Sequence, residues 1–340
     1  MQYVKFANII ISLHNEGIDS KKIGGIIIMY PIKFENIYFE KIWGGRGFEN
    51  FRNNLPDGNI GESWDVACHP NGTSIIANGE FKGKKISELI EIQGHKLLGS
   101  KISSAKFPLL VKLIDAKDKL SVQVHPNDNY AKKIENEMGK TEIWYVVEAE
   151  EGSELILGTK ECSKEQFIHS IKSGQLGRYL NRVLAKKGDV FFIESGLIHA
   201  IGAGVIIVEI QQNSDTTYRV FDYNRGRELH IDKAIDVVNL DLKGETSIIE
   251  TIIQNGYNKK VYCRCKHFAL ELYNIETNLI EKSDEERFYI FTCVEGNGVL
   301  IWNDGRCDIV KGESILIPAF LGIYEIQGQM KILKSYVPNL

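Results

Sequence analysis

No stretch of the 340-residue sequence is apolar for long enough to span a bilayer, and no small-residue cleavage site follows a compact apolar core near its start. Neither a transmembrane segment nor a secretory signal peptide is therefore expected. Cysteine is sparse and irregular. Cys68, Cys162, Cys263, Cys265, Cys293 and Cys307 form no disulfide framework, and Cys263-Arg-Cys265 has no partner pair, which argues against a zinc knuckle. Reduced thiols in a cytoplasmic protein are the better reading. Charge of one sign is lacking too: 41 Lys and Arg against 45 Asp and Glu leave a net charge of -4. That balance gives no reason to expect nucleic acid as a partner, so an anionic ligand has to be held by local cations.

What remains is a globular composition long enough for two cores. Residues 1–28 carry two isoleucine triplets around a charged middle and read as an upstream extension, with Met29-Tyr-Pro31 as the natural beginning. Residues 29–240 form a first domain, 241–260 a polar connector and 261–340 a run of short strands with Gly-rich turns, the pattern of a sandwich or jelly roll. Helices are expected at 84–99 with Ser87 as cap, at 130–138, at 163–171 behind Ser163, and at 231–238. Gly188-Asp189 with the apolar run to Gly196 is echoed by Gly312-Glu313 and the run to Pro318, which suggests two related β-barrels.

The chemistry concentrates between residues 120 and 224. Ser121, Gln123 and His125 alternate with apolar residues, so a half-buried strand turns all three to one side. With Glu142 and His199, each beside a turn signal, Gln123 and His125 complete a mixed oxygen and nitrogen set suited to a divalent first-row metal. Lys112, inside the apolar run 108–115, reads as an edge or snorkelling residue, with an active-site role as the alternative. Glu209, flanked by Val208 and Ile210, is either a proton acceptor or the salt-bridge partner of a pocket arginine.

Several long phrases then match one family in order: Trp43-Gly-Gly, Gly61-Glu-Ser-Trp64, Ser121-Val-Gln-Val-His125-Pro, Gly139-Lys-Thr-Glu142-Ile-Trp, Gly196-Leu-Ile-His199-Ala, and Glu209 through Asp215-Thr-Thr-Tyr-Arg219-Val-Phe-Asp-Tyr-Asn-Arg225. Residues 29–340 resemble the type I mannose-6-phosphate isomerases of the short bacterial form, in the cupin superfamily. The resemblance implies a mainly β fold of two cupin-type barrels with a few short helices, lacking the long helical insert of larger members. It implies reversible isomerisation of mannose 6-phosphate and fructose 6-phosphate through an enediolate, with one Zn2+ per chain on Gln123, His125, Glu142 and His199. Arg219 takes the active-site arginine position, and Ser121 and Lys140 take substrate-side positions. Arg219, Lys140 and Glu209 are the catalytic candidates; Ser121, Lys140, Arg219 and Arg225 are the substrate-binding ones. Arg225 falls where the family has a lysine, and a guanidinium is a poor proton acceptor. The C-terminal barrel lacks histidines near residues 321–324, so a structural role is expected for it. The alternatives are a non-catalytic sugar-binding cupin and a mononuclear-iron oxygenase. Neither a membrane nor nucleic acid is an expected partner, and the oligomeric state stays open.

Overall fold

The computed structural model describes residues 29–53, 55–244 and 248–338; the expected extension at 1–28 lies outside them. The chain is mainly β, and every strand pairing is antiparallel. A six-stranded sheet runs in the order Val190–Ile193, Glu142–Ala149, Val205–Gln212, Leu109–Ala116, Ile60–Val66, Ile37–Gly45. A five-stranded sheet runs Leu180–Leu184, Glu154–Thr159, His199–Ile201, Val122–Val124, Tyr218–Phe221. The two face each other: Trp43, Ile114, Trp144 and Ile207 of the first pack in one buried cluster with Leu155, Leu157 and Ile201 of the second. Fully buried strands such as Val205–Gln212 lose the polar alternation of a half-exposed strand because both faces are covered.

The expected closed barrels are not what the hydrogen bonding forms. Each sheet ends in free edge strands, so the architecture is that of packed open sheets. Nor do the two halves keep separate sheets. The third, ten-stranded sheet carries the C-terminal strands, yet Ile32–Glu35 joins it by pairing with Ser314–Ile317. A buried ion pair reinforces that junction: Arg52 Nη2 lies 2.7 Å from Asp65 Oδ2, and Arg52 Nε donates to the carbonyl of Gly312 at 3.2 Å. The stretch expected as connector also contains strand Glu250–Gln254, which forms an edge of this sheet.

Local signals explain the remaining differences. Trp43-Gly-Gly lies within a strand, where Gly44 lets the neighbouring strand approach closely; a Cβ there would sit 2.5 Å from Gly61 N. Ser87 lies inside helix Ile86–Gln93, where Glu88 reaches back to the Lys85 N–H. Helix Asp128–Ile134 starts earlier and stops earlier than expected, capped by Asn127 and followed by Asn136 in the left-handed region at φ 57. Ser163 caps helix Lys164–Lys172 as expected, in a reciprocal capping box with Gln166. Among the described residues no helix is long and apolar enough to cross a membrane.

Candidate active site

Residues directly opposite on adjacent strands project from the same face of a sheet. Two such rows build the site. Across the five-stranded sheet, Gln123 is in register with His199 on one side and Arg219 on the other. Across the six-stranded sheet, Lys112 is in register with Trp64 and with Glu209, and Glu209 with Trp144. Glu142 stands two residues before Trp144, on that strand's same face.

The deepest part is a trio. His125, Glu142 and His199 bring ligand atoms within 4.8 Å of one another, and each side chain is fully enclosed. His125 Nε2 lies 3.5 Å from Glu142 Oε2, and His199 Nε2 lies 3.6 Å from Glu142 Oε1. Glu142 Oε1 and His125 Nε2 have no hydrogen-bond partner, and Glu142 Oε2 has the Lys140 ammonium nearby. Buried polar atoms left unsatisfied are costly, so converging ones point to a missing shared partner. The outer nitrogens support this. His125 Nδ1 is 3.0 Å from the carbonyl of Thr216 and His199 Nδ1 is 2.9 Å from that of Leu197. Each carbonyl can only accept, so Nδ1 carries the proton and Nε2 turns its lone pair inward. Burial, with the nearby positive charge of Lys140, depresses both imidazoles, His199 to about 4 and His125 well below its ordinary value. Neutral imidazoles are what a cation requires. Gln123 stands beside the trio, its amide nitrogen 3.3 Å from His199 Nε2. The donor set fits a divalent ion.

In front of the trio lies a cavity of about 280 Å³, lined by Gln123 and Lys140 and mostly by polar and charged side chains. Lys140 Nζ is 3.2 Å from Glu142 Oε2. Burial lowers the pKa of this ammonium, but Glu142, Glu209 and Asp215 overcome that and hold it above its usual value. Glu209 is buried; Oε2 accepts from Trp144 Nε1 at 3.1 Å, while Oε1 has no hydrogen-bond partner. Burial and the charge of Glu142 push its carboxyl up. Ser121 Oγ accepts from Arg219 Nε at 3.3 Å, and both line the cavity.

Lys112 is neither an edge residue nor a snorkelling one. Its strand is interior to the sheet, the side chain is buried, and Nζ lies 3.6 Å from Asp215 and 3.8 Å from both Glu62 and Glu209. Arg225 does not line the cavity. Its Nη1 donates to the Lys119 carbonyl at 2.9 Å and its Nη2 to Asp222 at 3.1 Å. Four charged wall residues were not picked out by spacing: Lys41, Glu62, Asp215 and Arg227. Glu62 and Asp215 lie inside the motifs quoted above, which was the available signal; Arg227 had none.

The family model for the catalytic domain of type I phosphomannose isomerase matches residues 32–160, and that for the mannose-6-phosphate isomerase cupin domain matches 258–337. Mannose-6-phosphate isomerase ManA of Bacillus subtilis is 36% identical over 90% of this chain and 99% of its own length. The mannose-6-phosphate isomerase of Streptococcus mutans is 34% identical over 90% and 98%. Among solved structures, the mannose 6-phosphate isomerase of Bacillus subtilis superposes with a TM-score of 0.85 at 35% identity, covering 90% of this chain and 99% of that one.

Proposed function

Since the chain belongs to the type I phosphomannose isomerase family, we propose that it interconverts mannose 6-phosphate and fructose 6-phosphate, using one zinc ion per chain held by Gln123, His125, Glu142 and His199. The observation that carries this reading is the buried Glu142 carboxylate between two inward-facing imidazoles, its Oε1 without a hydrogen-bond partner, beside a cavity lined by Gln123 and Lys140. Two imidazoles, a carboxylate and an amide are a mix that suits zinc. Bound there, the ion supplies a Lewis acid for the negative charge that develops on the sugar's C1 and C2 oxygens.

The chain's own groups do the rest. Glu209 is the proton acceptor in this reading, because a carboxylate whose proton affinity is raised and whose Oε1 has no hydrogen-bond partner suits that work. The alternative role, a salt bridge to a pocket arginine, has no counterpart among the described ion pairs; the cation near that oxygen is Lys112, at 3.8 Å. Lys140, held as an ammonium, donates hydrogen bonds to the substrate's oxygens and does not act as a base. Arg219 adds fixed positive charge without surrendering a proton, and the Ser121 hydroxyl donates toward the phosphate. Two strand spacings, roughly 10 Å, separate Arg219 from His199, enough for a hexose phosphate to reach from one to the other. In this reading residues 29–240 carry the catalysis, and residues 261–340 form a structural part whose sheet also takes up strand Ile32–Glu35.

Incubation with mannose 6-phosphate, with fructose 6-phosphate detected by a coupled enzyme, tests the proposal. Ketose formation without oxygen uptake is the expected result. Substrate-dependent oxygen consumption without ketose would instead assign an iron oxygenase.

A further inference from the structure

The positive charge around the cavity is unevenly compensated. Lys41 Nζ lies 3.0 Å from Glu62, Lys140 Nζ lies 3.2 Å from Glu142, and Lys112 has three carboxylates within 3.8 Å. The lysine end is therefore balanced, and a phosphate there would meet Glu62, Glu209 and Asp215. The arginine end differs. Arg219 is held by the Ser121 hydroxyl and the Glu228 carbonyl, both neutral. Arg225 and Arg227 share one buried carboxylate, Asp222, and Arg225 also lies 3.6 Å from the exposed Asp118. Burial and the charges of Arg227 and Arg225 weaken the proton affinity of Arg219, and Asp222 offsets them only in part.

The two flanking arginines are not equivalent. Arg225 spends Nε on the Asp222 carbonyl, Nη2 on the Asp222 carboxylate and Nη1 on the Lys119 carbonyl, away from the cavity. Arg227 grips the same carboxylate through Nε at 2.9 Å and through Nη2, and it lines the cavity wall. No bond among the described residues uses its Nη1. The cause is local: Tyr223 and Asn224 both adopt left-handed conformations, φ 54 and 62, which reverse the chain and bring Arg227 back toward Arg219.

We propose that Arg227, braced by Asp222, is the residue that with Arg219 and Ser121 reads the dianionic phosphate of the substrate, and that Arg225 is a positioning residue that holds Asp222. The assignment rests on the isomerase reading above for its substrate. A planar guanidinium fixed on one edge offers its remaining amino group in a set direction, so little freedom is lost on binding.

The test compares Arg227→Gln, Arg227→Lys and Arg225→Gln with the wild type. It measures the KM for mannose 6-phosphate, competitive inhibition by inorganic phosphate, and calorimetric binding of inorganic phosphate. Loss of one charge-assisted contact predicts that Arg227→Gln raises KM and weakens phosphate binding about tenfold or more, with metal content unchanged. Arg227→Lys keeps the charge but loses the two-pronged grip, and should fall between. Arg225→Gln should change both quantities by less than about threefold, because it touches phosphate only through Asp222. Unchanged phosphate binding in Arg227→Gln, or a larger effect in Arg225→Gln, overturns the assignment. A wild type that binds phosphate through Arg227 but forms no ketose would overturn the proposed reaction while upholding this subsite.

Discussion

Lys112 and Glu209 stand directly opposite each other on adjacent antiparallel strands, and their charged ends meet at 3.8 Å on the cavity wall. Both are buried in the middle of a sheet, where an ionised side chain is tolerated only with partners. This pairing ties the fold to the site: one register relationship sets a buried carboxylate beside a cation on the sheet that also carries Glu142, with His199 on the sheet packed against it.

If Glu209 takes the proton, Glu209→Gln removes that capacity while leaving His125, Glu142 and His199 intact. Exchange of the C2 hydrogen with deuterated water should fall by about 10²-fold or more, the usual worth of a general base. Metal content should stay at the wild-type level. Unchanged exchange would return the residue to a wall role.

His199→Gln removes one inward-facing lone pair from the trio. Metal affinity should drop at least about a hundredfold, and turnover with it. Replacing Leu197, whose carbonyl orients His199, is a poorer probe, because its side chain belongs to the core. Elemental analysis after dialysis reads the result; full metal occupancy in His199→Gln contradicts the ligand set.

Acid stability follows from Glu62. Burial would raise its carboxyl, but Lys112 and Lys41 overcome that and hold it at about 2. A depressed carboxylate stabilises the fold above its unfolded value near 4.5 and loses that contribution as pH falls through 4.5 toward 2. The difference corresponds to roughly 3 kcal/mol. Denaturant melts should therefore show the stability gap between wild type and Glu62→Gln shrinking by about that amount between pH 5 and pH 2. A gap independent of pH would mean that the lysines do not hold the carboxylate.

The junction between the N-terminal strand and the C-terminal sheet depends on Asp65, which takes Arg52 at 2.7 Å, Ser314 at 3.1 Å and Asn36 at 2.8 Å. Asp65→Asn leaves the buried Arg52 guanidinium without its counter-charge. The cost should be about 3–5 kcal/mol by chemical denaturation. A loss below about 1 kcal/mol would show that water or backbone carbonyls replace the carboxylate.

Much of the site was legible in the sequence because strand alternation is a local property. Ser121, Gln123 and His125 had to share a face whatever the tertiary fold. Lys112 was misread for the opposite reason: its role depends on Trp64 and Glu209, which reach it only through pairing with two distant strands. Arg227 lines the cavity without having been marked in the sequence, because two consecutive left-handed residues, Tyr223 and Asn224, redirect the chain and carry little signal for that. The barrels expected from strand spacing became open sheets, since spacing predicts strands but not whether the last one closes on the first.

The most direct test is to strip the protein with a chelator and follow conversion of mannose 6-phosphate as zinc is returned. The account predicts no turnover in the stripped protein, then a rise to a plateau at one ion per chain, absent in His199→Gln. Full turnover in protein freed of all detectable metal would contradict it.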